Sequence, residues 1–258
     1  MQRDSKHCSP AARLALALAG AWLWIAAPLP AAEPALTGDR VPTKDGDLII
    51  HPVNHATLML GWKDVIICVD PVGGAARFVG LPRANLILVT DIHGDHLNAD
   101  TIQAVATDKA PLITSLAASK QLPVTLFART TALTNGQSTT VLGLTVEAIP
   151  AYNLTAERTK FHPGGRGNGY LLTLGGRRVY LSGDTEDTTE LRALRNIDVA
   201  FLCMNLPYTM DVDQAASAVR AFRPKIVYPY HYRGSDLEKF KKLVGDDIGV
   251  EVRLRNWY

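Results

Sequence analysis

The sequence predicts an α/β (α+β) fold in which β-sheets pack face to face beneath outer layers of helix. Short apolar runs rich in Val, Ile, Leu and Tyr, bounded by Gly, Pro, Asn or Asp, recur along the chain as strands do. The early runs follow one another closely, while the later ones alternate with stretches of helical spacing. The composition allows a buried core, since 47% of the 258 residues are hydrophobic and 20% charged, near the globular average.

Residues 1–32 are a separate object. Arg3, Lys6 and Arg13 make a positively charged start, residues 14–27 are uninterruptedly apolar, and residues 28–32 supply small and helix-breaking residues before Glu33. That layout is a secretory signal peptide cut after Ala32. The apolar stretch is short for a membrane span, which needs about 20 residues, so cleavage is expected over retention as an anchor. Cys8 precedes the apolar stretch, which argues against a lipoprotein. Residues 33–47 read as a linker and 48–258 as one domain, periplasmic or secreted.

Within the domain, strands are expected at 48–50, 57–60, 65–69, 86–90, 144–149, 170–174, 178–182, 199–202 and 226–230. Residues 61–64 and 175–177 join their neighbours closely enough for hairpins. Val212, Ala215, Ala216, Val219 and Phe222 recur at helical spacing behind a capping Asp211. Leu237, Phe240 and Val244 follow Ser235, with Glu238 placed for a capping box. Residues 100–106 form a shorter helix candidate. Cys68 and Cys203 each lie in an apolar run and read as buried thiols, although an oxidising compartment permits a disulfide. No internal repeat is visible in the sequence.

The chemistry is concentrated at strand ends. The run 86–90 stops at Asp91-Ile92-His93-Gly94-Asp95-His96, which offers four potential metal ligands in six residues. Imidazole and carboxylate are the usual ligands of zinc, iron and manganese; the competing reading is a polar surface loop. The run 178–182 ends in Gly183-Asp184-Thr185, and 226–230 runs into His231. One such residue at a strand end is ordinarily a cap, whereas three strand ends that each deliver a ligand make a site. Ser182 lacks the Gly-x-Ser-x-Gly setting of a nucleophile. The net charge of +2, without long runs of like charge, gives no footprint for nucleic acid. The expected partner is therefore a small-molecule substrate, with membrane contact only through the export signal.

These motifs resemble the metallo-β-lactamase superfamily. Within it, the chain looks closest to the metal-dependent hydrolases related to ascorbate-6-phosphate lactonase and N-acyl-phosphatidylethanolamine phospholipase D. His55-Ala56-Thr57 and the strand 65–69 ending in Asp70-Pro71 carry that closer likeness. The resemblance implies a four-layer αββα sandwich with one or two divalent ions, zinc or possibly manganese or iron. It implies that Asp95, His96 and His231 hold one ion, that Asp184 bridges to a second, and that His93 belongs to the second. Asp91 and Asn153 stand where that family pattern has histidines, so both departures fall on the second ion; each still offers an oxygen ligand. His162 is a candidate replacement ligand or a substrate contact. Asp70 is expected to orient a ligand from behind, His55 to line the cleft, and Tyr208 and Thr209 to contact substrate. Residues 164–169, rich in glycine, read as a mobile rim. The implied activity is metal-dependent hydrolysis of an ester, lactone, amide or phosphodiester, with Asp95 and Asp184 as the catalytic carboxylates. An iron-dependent redox enzyme and a non-catalytic metal-binding protein are the alternatives.

The export reading makes one prediction. Mass spectrometry of the protein from a secreting bacterial host should find a mature chain beginning near Glu33, and an intact Met1 on the mature chain would contradict it.

Overall fold

The computed structural model describes residues 34–258, so the expected signal segment lies outside the described residues. Fourteen strands form two sheets: β1 Asp39–Thr43, β2 Gly46–Asn54, β3 Thr57–Trp62, β4 Val65–Val69, β5 Leu86–Val89, β6 Leu112–Ser115, β7 Thr130–Leu133, β8 Ser138–Val141, β9 Leu144–Ala151, β10 Gly167–Leu174, β11 Arg177–Leu181, β12 Val199–Cys203, β13 Ile226–Tyr230 and β14 Glu251–Val252. Each sheet takes seven strands in chain order, β1 to β7 and β8 to β14.

The two sheets share one plan. In the first, β1 to β4 meander antiparallel and β4 to β7 run parallel. In the second, β8 to β11 meander and β11 to β14 run parallel. The fold is therefore a topological duplication that no sequence repeat announced. What recurs is the order of tight turns and long crossovers, and many residues satisfy that order.

Parallel neighbours need crossovers, and helices supply them. Ala99–Val105 links β5 to β6, Val212–Phe222 links β12 to β13, and Leu237–Val244 links β13 to β14. The strand β5 shows how the layers stack. Its Leu86 and Leu88 enter the core between the sheets, beside Val146, Leu172 and Leu181, while Ile87 and Val89 face outward onto Ile102 and Val105 of the helix Ala99–Val105. Period-two alternation with both faces buried yields the unbroken apolar run Leu-Ile-Leu-Val. The result is the αββα arrangement.

Three expectations change. The stretch read as a linker carries β1, which pairs with β2 from Asp39 opposite Ile50 to Thr43 opposite Gly46; Leu36 and Val41 are buried. Its polar residues and Pro42 hid it. Strands β6, β7, β8 and β14 also went unread, being two to four residues long and, in β7 and β8, rich in Thr and Ser. The cap of the helix Leu237–Val244 is Asp236, whose side chain accepts from Lys239 N. The Ser235 hydroxyl is occupied by Met204 O at 2.6 Å. The cap predicted at Asp211 forms, and Gln214 answers it to make a capping box, which the sequence suggested only at Ser235 and Glu238.

Asp198, at the start of β12, ties three strands together. It accepts from Arg178 N at 2.9 Å, Arg177 Nη1 at 3.0 Å and Lys225 Nζ at 2.8 Å. Burial alone would raise its pKa, and these donors outweigh that and hold the carboxyl below the ordinary range. A lowered folded-state pKa contributes stability above the unfolded value, about 3.9, and that contribution is lost as pH falls through the folded value. We therefore expect Asp198→Asn to cost about 1.5–3 kcal/mol at pH 7, with the gap to wild type narrowing below about pH 4. Urea denaturation across pH measures this; a gap independent of pH would contradict it.

Candidate metal centre

The site lies where the strands end. After β5, Asp91 Oδ1 accepts from Ile92 N at 2.6 Å and His93 N at 3.1 Å, closing one turn. The His93 carbonyl then accepts from both His96 N and Leu97 N, closing the next. These linked turns aim the side chains of the motif differently. His96 is fully buried, whereas Asp95 keeps 47% of its side chain exposed towards the cleft.

His96 is fixed from behind by Asp70, at the end of β4. Asp70 Oδ1 accepts from Thr90 N at 2.8 Å, and Oδ2 accepts from the Thr90 hydroxyl at 2.6 Å. His96 Nδ1 lies 2.8 Å from the same Oδ2. The Thr90 proton being committed to Asp70, His96 Nδ1 is the N–H that donates to the carboxylate, and Nε2 is left as a lone pair facing the centre. Burial pushes the Asp70 carboxyl pKa up, against the pull of those donors.

Asp184 is the hub on the opposite side. Its Oδ2 lies 3.3 Å from His96 Nε2 and 3.1 Å from His162 Nε2, and its Oδ1 lies 3.3 Å from His231 Nε2. Asp95 adds Oδ2 at 3.4 Å from His231 Nε2 and Oδ1 at 3.9 Å from His96 Nε2. Gly183 makes the Asp184 turn possible. It has φ of 60°, and a Cβ there would meet Asn168 O at 2.8 Å, so glycine alone fits. His55, Asp70 and His231 also adopt positive φ, which swings their side chains across the strand ends.

His96 Nε2, His162 Nε2, His231 Nε2 and Asp184 Oδ1 are buried with no hydrogen-bond partner among the described residues. Unpartnered buried polar atoms are costly, and here they converge. Ligand atoms of His96, Asp184 and His231 lie within 4.8 Å of one another, as do those of His55, Asp95 and His231 and those of Asp91, His93 and His162. Imidazole lone pairs and carboxylates so arranged fit a divalent cation.

His162 and Asn153 lie side by side at the centre, and their hydrogen bonds differ. Asn153 Nδ2 donates to Arg158 O at 3.0 Å and Tyr208 O at 2.6 Å, which uses both its hydrogens. His162 Nδ1, 3.1 Å from Tyr208 O, must therefore be the donor there, leaving Nε2 to face Asp184. Asn153 thus braces the imidazole that reaches the centre, and its own Oδ1 is buried without a partner among the described residues. What holds this loop has no signature in the sequence. Glu186 accepts from Leu154 N and Thr155 N, each at 2.6 Å, from the Thr155 hydroxyl at 2.8 Å, and from Arg158 Nη1 at 2.6 Å. Burial alone would raise its pKa; these donors hold the carboxyl below its ordinary range.

On the cleft side, His55 Nε2 lies 3.2 Å from Asp95 Oδ2 and His55 Nδ1 lies 2.6 Å from the Tyr258 hydroxyl. Burial would raise the Asp95 pKa, but the histidines around it, His231 and His55 first and then His96, hold it well below the carboxylate range. Burial lowers the His55 pKa. An ionised Asp95 accepts from His55 Nε2–H, so His55 Nδ1 accepts from Tyr258 O–H. The Tyr258 oxygen in turn accepts from Arg233 N at 2.9 Å. A cavity of about 570 Å³ opens over Asp95, Asp184 and His231, walled by Phe161, Leu206 and Tyr208.

Thr209 is not a substrate contact: it is fully buried and its hydroxyl accepts from Asn205 N at 2.8 Å. Tyr208 does reach the rim. Half of the expected glycine rim is strand, because β10 begins at Gly167, where a Cβ would stand 3.0 Å from Asp91 Oδ2. Cys68 and Cys203 are free and buried, and burial pushes the Cys203 thiol up to about 12.

Comparison with known proteins identifies the family. Residues 50–231 match the β-lactamase superfamily domain. A UPF0173 metal-dependent hydrolase of Pyrococcus abyssi is 30% identical over 215 residues, covering 78% of this chain and 93% of that protein. A solved, proposed metal-dependent hydrolase from Parabacteroides distasonis is 42% identical with a TM-score of 0.78, covering 86% of this chain and 99% of that one. The metallo-β-lactamase fold protein YhfI of Bacillus subtilis shares the fold at 13% identity, TM-score 0.64, over 80% of this chain and 95% of its own.

Proposed function

The chain belongs to the β-lactamase superfamily and is a metal-dependent hydrolase, and we propose that its centre activates water against an ester, lactone, amide or phosphodiester bond of a small molecule. The observation that carries this reading is the set of buried, unpartnered atoms His96 Nε2, His231 Nε2 and Asp184 Oδ1, with Asp95 beside them. Those four residues would hold a zinc, manganese or iron ion through two nitrogens and two carboxylates. Such an ion supplies a lowered pKa for a bound water and polarisation of the scissile carbonyl or phosphoryl oxygen.

The protein's own groups do the rest. Asp95, ionised and open to the cleft, accepts the proton of the attacking water and returns it to the leaving group, so that water adds across the broken bond. His55 donates to Asp95 Oδ2 and Tyr258 donates to His55, which keeps the carboxylate turned to the cleft. The Asp184 carboxylate and the imidazoles of His96, His162 and His231 face one point between them. The cavity is of a size for a small molecule rather than a polymer. Export belongs to the same reading: the charged, then apolar, first 32 residues support work in the periplasm or outside the cell.

Metal-loaded protein is to be assayed against lactone, ester, β-lactam and phosphodiester substrates while oxygen is monitored. Hydrolysis without oxygen uptake is expected. Asp184→Ala should abolish it, and Asp95→Asn should lower kcat by about 10²- to 10⁴-fold. Wild-type turnover by Asp184→Ala, or turnover that consumes oxygen, would overturn the proposal.

A further inference from the structure

We infer that the guanidinium of Arg166 fills the second half-site and that the centre works with a single metal ion, an inference that rests on the metal-hydrolase reading above. The two halves of the site differ in what their donor atoms are doing. On the His96 side the ring nitrogens and Asp184 Oδ1 are unpartnered among the described residues. On the Asp91 side, the donor atoms of Asp91 and His93 are engaged, while His162 Nε2 turns to Asp184. Asp91 Oδ1 already accepts two backbone N–H groups, from Ile92 and His93. Arg166 Nη2 lies 3.4 Å from Asp91 Oδ1 and 3.4 Å from Asp91 Oδ2. The same nitrogen lies 3.3 Å from His93 Nε2, so the lone pair of that ring is directed at a guanidinium N–H. His93 Nδ1 is then the N–H, and it faces Asp91 Oδ1 at 3.2 Å. One cationic nitrogen therefore stands among the atoms that a second ion would need.

The guanidinium is held there. Arg166 Nη2 also donates to Phe161 O, and only 18% of the side chain is exposed. The next residue, Gly167, starts β10 pressed against Asp91 Oδ2, so the arginine reaches the carboxylate from a fixed backbone. Unlike an imidazole or an ammonium, a guanidinium stays protonated in proteins, and its charge cannot be shed to admit a divalent ion. Of the carboxylates that face the centre, Asp91, Asp95 and Asp184, the first already has the guanidinium as its counter-charge. A fixed cation placed there also supplies some of the electrostatic stabilisation that a second ion gives to developing negative charge. His162, whose Nε2 turns to Asp184 Oδ2, serves the single ion.

The test is stoichiometry. Wild type, Arg166→Met and Arg166→Lys are each equilibrated with excess Mn²⁺, passed through a desalting column, and examined by elemental analysis and electron paramagnetic resonance, with circular dichroism to confirm folding. One ion per chain with an isolated Mn²⁺ spectrum is expected for wild type and for Arg166→Lys, which keeps the charge. Arg166→Met should take up a second ion and show a spin-coupled pair. Two ions in wild type would overturn the inference whatever the variants do, and so would a folded Arg166→Met that stays at one. No ion in wild type would instead defeat the metal-hydrolase reading on which the inference rests.

Discussion

Asp70 is buried behind the centre, and its two oxygens are divided between Thr90 and His96. That division fixes the end of β4 to the end of β5 and settles which nitrogen of His96 carries the proton. A carboxylate behind a histidine sets the ring's tautomer and makes the facing nitrogen a better ligand. The other donors are arranged around that nitrogen: Asp184 approaches it from β11, and the His231 ring stacks beside His96 with centroids 5.1 Å apart. If Asp70 were neutral or absent, His96 Nδ1 would lose its acceptor and the ring its orientation, although the strands around it would remain.

The fold serves this arrangement by bringing the carboxyl ends of parallel strands from both sheets to one edge. Open α/β sheets place ligands at such ends because the loops there are free to carry chemistry while the strands stay buried. Here β4, β5, β11 and β13 deliver Asp70, the Asp91–His96 motif, Asp184 and His231 in turn. The topological duplication means that each sheet contributes its parallel half to the same edge. The C-terminal tail closes the arrangement, with Trp257 buried against Phe201 and Tyr230 and Tyr258 set on His55.

Much of this was legible in the sequence because it was written contiguously. The run Leu86–Val89 followed at once by Asp91, His93, Asp95 and His96 shows both a buried strand and its burden, and Asp184 and His231 likewise follow apolar strands directly. What stayed illegible is what depends on contacts between distant residues. Asn153 sits at the expected ligand position, but that two carbonyls would claim its amide nitrogen, and that His162, nine residues on, would turn Nε2 to Asp184, could not be read there. Glu186 and Arg166 look like ordinary surface charges in sequence, and only the loop folded across them gives each its partners. The strand β1 was missed for a different reason: as an edge strand with one fully buried apolar position, Val41, it carries almost no alternation to read.

A buried carboxylate, by orienting His96, makes a cation centre out of strand ends. Calorimetric titration of a divalent ion into wild type and Asp70→Asn tests it most directly, with circular dichroism to confirm that the variant is folded. Affinity about 10- to 100-fold weaker is expected in the variant. Unchanged affinity in a folded Asp70→Asn would contradict it.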